Sequence, residues 1–249
     1  MKKLLSYPLT VLFYLFYGLA LLIFHPIQWV CFNVFGYQAH KKSVDILNFF
    51  LIATTYILGT RNTFSNPHKL PKGAPCIIVS NHQSQYDISP LIWHLRKLHP
   101  KFVSKIELGK GIPSISYNLR HGGSVLIDRK NPRQSLPALK NFATYLQENN
   151  RSTVIFPEGT RGKKGMPKRF APNGLKTLFK YMPNAWIVPV TINNSWKLVE
   201  HGAFPMNIGV HLKHNVHKPF PISEFDDVEE LLAHIERTIT KDILITKQT

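Results

Sequence analysis

The sequence predicts an α/β domain whose mostly parallel central sheet is flanked by helices, preceded by an N-terminal membrane-associated helical hairpin. Two observations lead to this prediction. From Pro71 onward, short apolar runs alternate with helical patterns, and this order is typical of parallel sheets. The first sixty residues contain two apolar stretches of another character. We therefore expect an anchoring segment at residues 1–62 and the α/β domain at residues 63–249.

Composition supports a folded core and a surface that attracts anions. The 249 residues are 44% hydrophobic and 18% charged, which excludes global disorder, and the net charge is +17. Such a charge suits nucleic acid, anionic lipid or a phosphorylated small molecule. The two cysteines, Cys31 and Cys76, form no CxxC motif and no disulfide framework, which fits a reducing compartment.

The first apolar stretch, residues 4–24, contains no charged residue. As a helix it would be about 31 Å long, close to the thickness of a bilayer's hydrocarbon core. Pro8 fits the first turn of this helix and Pro26 fits its end. The second stretch, residues 44–57, is short for a membrane span and includes a charged residue, Asp45.

The basic residues around these stretches bear on their arrangement. Lys2 and Lys3 resemble the start of a signal peptide, but no small-residue cleavage site follows the apolar run. Two membrane spans would place Lys41 and Lys42 on the side opposite positions 2, 3 and 61, against the rule that basic residues stay cytoplasmic. A shallow hairpin in one leaflet keeps all of them on one side. We expect the hairpin, with two spans as the alternative.

The rest of the chain contains five predicted strands and four predicted helices. The strands are at residues 76–80, 102–104, 124–127, 153–156 and 186–192, and the first three helices are near residues 89–98, 135–148 and 174–182. Asp226 is predicted to cap the last helix, with Glu229 three residues later. Pro189 interrupts the last strand, which suggests a sheet edge or a bulge.

Residues that follow strands are the candidates for function, because open parallel sheets bind ligands outside the carboxyl ends of their strands. Asn81, His82 and Asp87 follow the first strand in the stretch IIVSNHQSQYDISP. A histidine beside a carboxylate is suited to general-base chemistry. The spacing alone leaves a structural interpretation open, in which His82 caps a turn and Asp87 starts a helix.

A second candidate segment is TVIFPEGTRGKKGMPKR, residues 153–169. Pro157 ends the strand, Gly159 allows close approach of a ligand, and Arg161 offers a planar fork for phosphate oxygens. Five of the nine residues from Arg161 to Arg169 are basic, and a solvated basic loop is the alternative interpretation for the lysines among them.

Two further basic residues, Lys105 and Arg129, also follow predicted strands. For each an ordinary ion pair is the alternative, with Glu107 and Asp128 respectively. His211 and His214 have metal-ligand spacing, but no acidic cluster accompanies them, so no metal site is predicted.

Four blocks in this order carry a resemblance to a known family: Asn81-His82-x4-Asp87, Asp128-Arg129, the hexapeptide FPEGTR at residues 156–161, and Val188-Pro189-Val190. Together they resemble the glycerolipid acyltransferase family, in particular bacterial lysophosphatidic acid (1-acyl-sn-glycerol-3-phosphate) acyltransferases. The matching region runs from about residue 76 to 192. The His-x4-Asp block followed by an intact FPEGTR is the specific part of the match.

The resemblance implies a role for each candidate residue. His82 is the expected general base that takes the proton of the acceptor hydroxyl, and Asp87 orients its imidazole. The acceptor supplies the attacking oxygen, so neither Ser80 nor Ser84 is assigned as a nucleophile. The residues expected at the acceptor phosphate are Arg161, Lys105, Arg129, Gly159 and Thr160. The residues expected to orient the substrate are Glu158 and Asn81.

The reaction implied is transfer of a fatty acyl group from acyl-CoA or acyl carrier protein to the free hydroxyl of 1-acyl-sn-glycerol 3-phosphate, giving phosphatidic acid. Neither a cofactor nor nucleic acid is expected. The expected partners are membrane lipids and the two substrates, with acyl carrier protein as a candidate. The expected location is the inner (cytoplasmic) membrane, with the catalytic domain on the cytoplasmic side.

Two other functions stay open. One is acyl transfer to another acceptor, such as glycerol 3-phosphate or a different lysophospholipid. The other is a basic membrane-binding protein without catalysis. The chain also departs from the family after Ile112-Pro113, where Ser114, Ile115 and Ser116 replace the usual bulky aromatic residues. This departure leaves the preferred length of the acyl chain open.

Overall fold

A central sheet of eight strands organises the computed structural model, which describes residues 2–128 and 130–244. The strands are β1 (Arg61–Ser65), β2 (Cys76–Ser80), β3 (Pro100–Lys105), β4 (Val125–Ile127), β5 (Ser152–Ile155), β6 (Trp186–Asn193), β7 (His211–Val216) and β8 (Phe220–Pro221). Their order is β1-β7-β6-β2-β5-β3-β4, with β8 also paired to β6. The strands from β6 to β4 in this order are mutually parallel, whereas β7 and β8 run antiparallel to β6. The predicted fold class is confirmed.

Seven α-helices accompany the sheet in the described part of the chain. They are α1 (Lys2–Phe35), α2 (Tyr37–Thr55), α3 (Ile88–His94), α4 (Ile115–His121), α5 (Pro132–Glu148), α6 (Pro172–Tyr181) and α7 (Val228–Thr240). All five predicted strands are present. Sequence analysis missed β1, β7, β8 and the seven-residue α4, because their short stretches carry polar residues without a long apolar run.

The sheet has a core on each face. Ile77 and Val79 of β2 point to the face covered by α5, α6 and α7, whereas Cys76 and Ile78 point to the face covered by α2 and α3. All four side chains are fully buried. Because alternate residues of a strand point to opposite faces, a strand buried on both faces reads as a continuous apolar run. β2 therefore lies in the middle of the domain, and its carboxyl end is held from both sides.

The first helix is longer than the sequence predicts. It continues through Pro26, the residue expected to end it, and Pro8 lies inside it rather than in its first turn. A proline inside a helix removes a backbone hydrogen bond and costs about 3 kcal/mol. Contacts beyond Pro26 oppose this cost, because the Phe32 ring packs against His40 and the Asn33 side chain donates to the Tyr117 hydroxyl at 3.1 Å.

α1 and α2 form a hairpin joined at Gly36, which adopts a positive φ of 81°. Ring contacts pair Phe32 with His40 and Phe24 with Phe50, so the two helices run antiparallel. α1 is the one described helix that is long and apolar enough to cross a membrane, with a mean hydropathy of 2.0 over a window in which 11% of residues are buried. One such helix is weak evidence of membrane association. The division of the chain at residues 62 and 63 stays a prediction.

α1 also lies along the α/β domain for much of its length. The Thr10 hydroxyl accepts a hydrogen bond from the backbone N–H of Met206 at 3.0 Å. Eleven residues later, the Leu21 carbonyl accepts one from the Ser114 hydroxyl at 2.6 Å, and then Asn33 meets Tyr117. The contacts span residues 10 to 33, about 35 Å of helix. One side of α1 is thus fixed to the domain, while its other side exposes apolar residues such as Leu15, Phe16 and Ile23.

One local prediction was wrong, and for Pro189 one of the two predicted alternatives, the sheet edge, is excluded. The cap of α7 is Asp227, not Asp226, and its carboxylate accepts from the Glu229 N–H at 3.1 Å. Pro189 is not at a sheet edge, because β6 pairs with β2 on one side and with β7 and β8 on the other. The proline lies between the segments of β6 that pair with β8 and with β7, and its carbonyl accepts from the His217 N–H at 2.9 Å. The missing backbone N–H of Pro189 is tolerated there, because the strand beside β6 changes from β8 to β7 at that point.

Asn81, the residue after β2, ties this strand's end to β6. Its carboxamide donates to the Ile192 carbonyl at 2.8 Å and accepts from the Ile192 N–H at 2.7 Å, and the residue is 1% exposed. We predict that Asn81→Ala lowers the free energy of unfolding by about 1–3 kcal/mol, since it leaves a buried N–H and C=O unpaired. Urea unfolding in detergent would measure this.

The control is Asn66→Ala, at an exposed position, which should change the free energy of unfolding by less than about 0.5 kcal/mol. Equal effects of the two substitutions would show that the Asn81–Ile192 hydrogen bonds do not stabilise the fold.

Candidate active site

The first two predicted site residues lie in direct contact beyond the carboxyl end of β2. Nδ1 of His82 is 2.9 Å from Oδ2 of Asp87. Asp87 is fully buried, whereas the side chain of His82 is 17% exposed. The contact uses Nδ1, so Nε2 lies on the opposite side of the imidazole from the carboxylate. This arrangement fixes the ring and leaves its second nitrogen directed away from Asp87.

The local sequence explains how Asp87 reaches this position. Ser84 caps a single helical turn, Gln85–Asp87, by accepting from the Tyr86 N–H at 3.2 Å. In return, Asp87 Oδ2 accepts from the Ser84 N–H at 2.9 Å, which completes a capping box. Oδ2 also accepts from the Gln83 N–H at 2.7 Å. The spacing between His82 and Asp87 is therefore the length of one capped turn.

A fourth group, the Ser195 hydroxyl, donates a hydrogen bond to Oδ1 of Asp87. Burial by itself raises the pKa of Asp87, but the hydrogen bonds from His82, Ser195 and the Ser84 backbone together with the charge of His82 outweigh it, so the pKa is lowered. Asp87 is thus held as a carboxylate. Ser195 follows β6, and the sequence analysis did not select it, because nothing near it in the chain marks a partner 108 residues away.

Glu158 connects the His82 loop to the segment that follows β5. One carboxylate oxygen accepts from the His82 N–H at 2.8 Å and the other from the Lys168 N–H at 2.8 Å. Burial raises the pKa of Glu158, although these two backbone hydrogen bonds oppose the rise. Both donors to Glu158 are backbone N–H groups, so the residue fixes the loop that carries His82.

The segment after β5 also meets the His82 loop directly. The Gly162 N–H donates to the His82 carbonyl at 2.8 Å, and Nη1 of Arg161 donates to Oε1 of Gln85 at 2.6 Å. Gly159, with a φ of 68°, turns the chain after Pro157. The structure thus brings Arg161 beside the loop of the predicted base, 76 residues away in sequence.

Other predicted phosphate-site residues differ in their surroundings. Thr160 is exposed, and its hydroxyl accepts from Nζ of Lys168 at 2.6 Å. Lys105, also exposed, pairs with Glu107 at 3.3 Å, as the alternative interpretation had it. Arg129 lies outside the described residues. A place for Lys105 and Arg129 at a phosphate stays a prediction.

Asn81, predicted to orient the substrate, has its side chain engaged by the protein backbone. Its carboxamide is engaged on both sides by the Ile192 backbone, and it is 1% exposed. The sequence analysis did not predict that Phe156 contacts His82. Its ring stacks on the His82 imidazole with 4.2 Å between centroids and 17° between planes. Phe156 belongs to the FPEGTR block, so the block contributes a packing residue as well as Arg161.

An apolar cavity of about 420 Å³ opens next to this site. It lies between the α1–α2 hairpin and the α/β domain, and Gln85 and Tyr86 line it beside Asp87. Leu21, Leu47 and Leu51 of the hairpin line another part. The volume is within the range of ordinary ligand pockets. The site therefore combines a held imidazole, an exposed guanidinium and a neighbouring apolar space.

Comparison with known proteins agrees with this geometry. The family model named Acyltransferase matches residues 61–193. The chain belongs to the Acyltransferase family. The matched region includes His82, Asp87, Glu158 and Arg161, and the family membership predicted from the four sequence blocks is confirmed.

Individual relatives point the same way. The chain is 37% identical over 137 residues to a 1-acyl-sn-glycerol-3-phosphate acyltransferase of Helicobacter pylori, covering 51% of this chain and 54% of that protein. It is 32% identical over 152 residues to a chloroplastic enzyme of the same name from Arabidopsis thaliana, covering 61% of this chain and 41% of that protein. The chain thus matches about half the length of these curated relatives.

A solved structure confirms the fold. The crystal structure of the 1-acyl-sn-glycerophosphate acyltransferase PlsC from Thermotoga maritima aligns with a TM-score of 0.80, covering 98% of this chain and 96% of that one. The sequence identity is 22%, so this likeness concerns the fold.

The lowered pKa of Asp87 predicts a pH-dependent stability. A carboxyl group whose pKa is lower in the folded state stabilises the fold above its unfolded-state pKa of about 3.9, and this contribution is lost as the pH falls through the folded-state value. We predict that Asp87→Asn lowers the free energy of unfolding by about 3 kcal/mol or more near pH 7 and by clearly less below pH 4. Urea unfolding between pH 7 and pH 3 would measure the difference.

Asp226→Asn is the matched control, because it changes an exposed aspartate. Its free energy of unfolding should stay within about 0.5 kcal/mol of that of the unmodified chain at each pH. A loss from Asp87→Asn that is the same at every pH would contradict the assigned charge of this carboxylate.

Proposed function

We propose that this chain transfers a fatty acyl group from acyl-CoA or acyl carrier protein to the free hydroxyl of 1-acyl-sn-glycerol 3-phosphate, giving phosphatidic acid. The observation that supports it most is the contact between the His82–Asp87 pair and the Arg161 loop. An acceptor that carries a hydroxyl near a phosphate suits a base and a guanidinium held in one site. The relatives from Helicobacter pylori and Arabidopsis thaliana bear the name of this activity.

His82 acts as the general base in this proposal. Nε2 takes the proton of the acceptor hydroxyl while the hydroxyl oxygen attacks the carbonyl carbon of the thioester. The C–S bond then breaks, and the leaving thiolate takes the proton from the imidazolium. Asp87 stabilises the charged ring between these steps and holds its orientation. No group of the protein becomes acylated, because the acceptor provides the attacking oxygen.

Arg161 binds the acceptor phosphate. One of its five N–H donors is engaged by Gln85, which orients the guanidinium and leaves others for phosphate oxygens. Lys168, whose Nζ lies 2.6 Å from the Thr160 hydroxyl, adds a second positive charge to the same loop. The net charge of +17 strengthens the attraction for an anionic acceptor.

The apolar cavity receives an acyl chain. Gln85 and Tyr86 line it within one turn of Asp87, so a chain attached to the reacting carbonyl enters it directly. Ser114 and Ile115, at positions where the resembling family has bulky aromatic residues, also line this cavity. Both side chains are smaller than an aromatic residue, which leaves more room for the chain.

The α1–α2 hairpin seats the protein in one leaflet of the inner membrane, on the cytoplasmic side. α1 exposes apolar side chains along one side, whereas contacts between residues 10 and 33 fix its other side to the domain. A helix attached to a polar domain over about 35 Å is better suited to lie in the interface than to cross the bilayer. The apolar cavity beneath the hairpin then opens near the lipid substrates.

An acceptor panel with the purified chain in detergent micelles tests the reaction. With radiolabelled palmitoyl-CoA or palmitoyl-acyl carrier protein, we predict transfer to 1-acyl-sn-glycerol 3-phosphate, and a loss of about 10²–10⁴-fold in kcat for His82→Ala, since the general base is absent. Transfer only to glycerol 3-phosphate or lysophosphatidylcholine would contradict the proposed acceptor and identify another one. Absence of transfer to every acceptor, with vesicle binding intact, would favour a non-catalytic membrane-binding protein.

Arg161→Ala tests the phosphate site. We predict that the KM for the acceptor rises about tenfold to hundredfold, because charge-assisted hydrogen bonds to the phosphate are lost. The matched control is Lys164→Ala, which removes an exposed cation of the same loop and should change KM no more than about twofold. An unchanged KM for Arg161→Ala in steady-state kinetics would remove Arg161 from the phosphate site.

A further inference from the structure

The far part of the apolar cavity contains a polar group with nothing to bind. Gln28 of α1 lines the cavity and is fully buried. Both Oε1 and Nε2 of its carboxamide lack a hydrogen-bond partner among the described residues. Of the described residues that line this cavity, Gln28 alone has buried side-chain nitrogen or oxygen atoms without a hydrogen-bond partner. Buried polar groups are almost always paired, so Gln28 needs an explanation.

Two other polar residues of the cavity wall, Asn48 and Ser114, are already engaged. Asn48 donates to the Val44 carbonyl at 2.8 Å, and the Ser114 hydroxyl donates to the Leu21 carbonyl at 2.6 Å. The unpaired ring nitrogens of His40 face a different space, a void of about 20 Å³. That void has room for about one water molecule and is too small for an acyl chain. Gln28 thus combines a buried, unpaired carboxamide with a place on the wall of a ligand-sized cavity.

The position of Gln28 along α1 sets its distance from the reacting end. Tyr17 marks that end, since its ring lies 6.2 Å from the ring of Tyr86, the residue before Asp87. Gln28 is eleven residues further along α1, a distance of about 16 Å at 1.5 Å per residue. An extended hydrocarbon chain advances about 1.3 Å per carbon, given bonds of about 1.5 Å. About twelve carbons therefore separate the two ends.

We propose that the cavity takes a fatty acyl chain with a hydroxyl group on its distal part, and that the Gln28 carboxamide binds this hydroxyl. The inference rests on the proposed acyl transfer and names the substrate class for it. A hydroxyl donates to Oε1 and accepts from Nε2, so one group pairs both atoms. A plain methylene chain would leave both atoms unpaired, which disfavours its binding relative to a hydroxylated chain.

A position series of acyl chains tests the proposal without any substitution. The unmodified protein is given hexadecanoyl-, 3-hydroxyhexadecanoyl- and 12-hydroxyhexadecanoyl thioesters, with 1-acyl-sn-glycerol 3-phosphate as acceptor. The distal hydroxyl is expected to raise kcat/KM about tenfold over the plain chain, and the proximal hydroxyl is expected to give no gain. A second arm places the 12-hydroxyl on the acceptor's own chain and uses a plain donor. A gain in one arm identifies which substrate's chain occupies the cavity.

Gln28→Met keeps the length of the side chain and removes its polar atoms. It is expected to abolish the preference for the distal hydroxyl and to improve transfer of the plain chain. The matched control is Asn48→Leu, which removes a cavity amide that is already paired, and it should leave the preference unchanged.

Transfer of the plain chain without a preference in either arm would overturn this inference and leave the proposed function standing. A preference that survives Gln28→Met would overturn the role of Gln28. Absence of transfer with every donor would overturn the proposed function, and this inference with it.

Discussion

The buried carboxylate of Asp87 is the constraint on which the site depends. A charge without access to water is tolerated only when hydrogen bonds surround it, and here the donors come from the loop after β2 and from Ser195 after β6. Satisfying this one group fixes the turn that carries it, the tautomer and orientation of the His82 ring, and the approach of β6. The reactive geometry is thus a consequence of burying a carboxylate.

Neighbouring parallel strands explain why distant sequence blocks act together. β2 pairs with both β5 and β6, so the residues after each strand emerge at the same edge of the sheet. Glu158 then joins the His82 loop to the loop after β5, and Asn81 joins it to β6. These two side chains were predicted to orient the substrate, and for Glu158 that role stays a prediction. Both pair backbone groups at the carboxyl ends of strands, where the ladder stops and those groups need other partners.

The two sides of the N-terminal hairpin differ in their surroundings, and its sequence alone does not show which residues lie on which side. One side of α1 stays apolar and exposed, as a lipid-facing surface requires. Its other side packs on the domain, and together with α2 it encloses the cavity beside Tyr86. The same helix therefore forms an exposed apolar surface and part of the cavity wall. This explains why it continues through Pro26 to reach Phe32 and Asn33, which contact His40 and Tyr117.

The sequence by itself determined the strands β2 to β6, the alternation with helices, and the family, because apolar periodicity and local motifs are encoded in short windows. It also placed His82 beside Asp87, since one capped turn joins them. Only the tertiary structure decided the partners of Asn81, Glu158 and Asp87 that lie far apart in the chain, the path of α1 beyond Pro26, and the position of Gln28. Those outcomes depend on packing between remote segments, which no local pattern records.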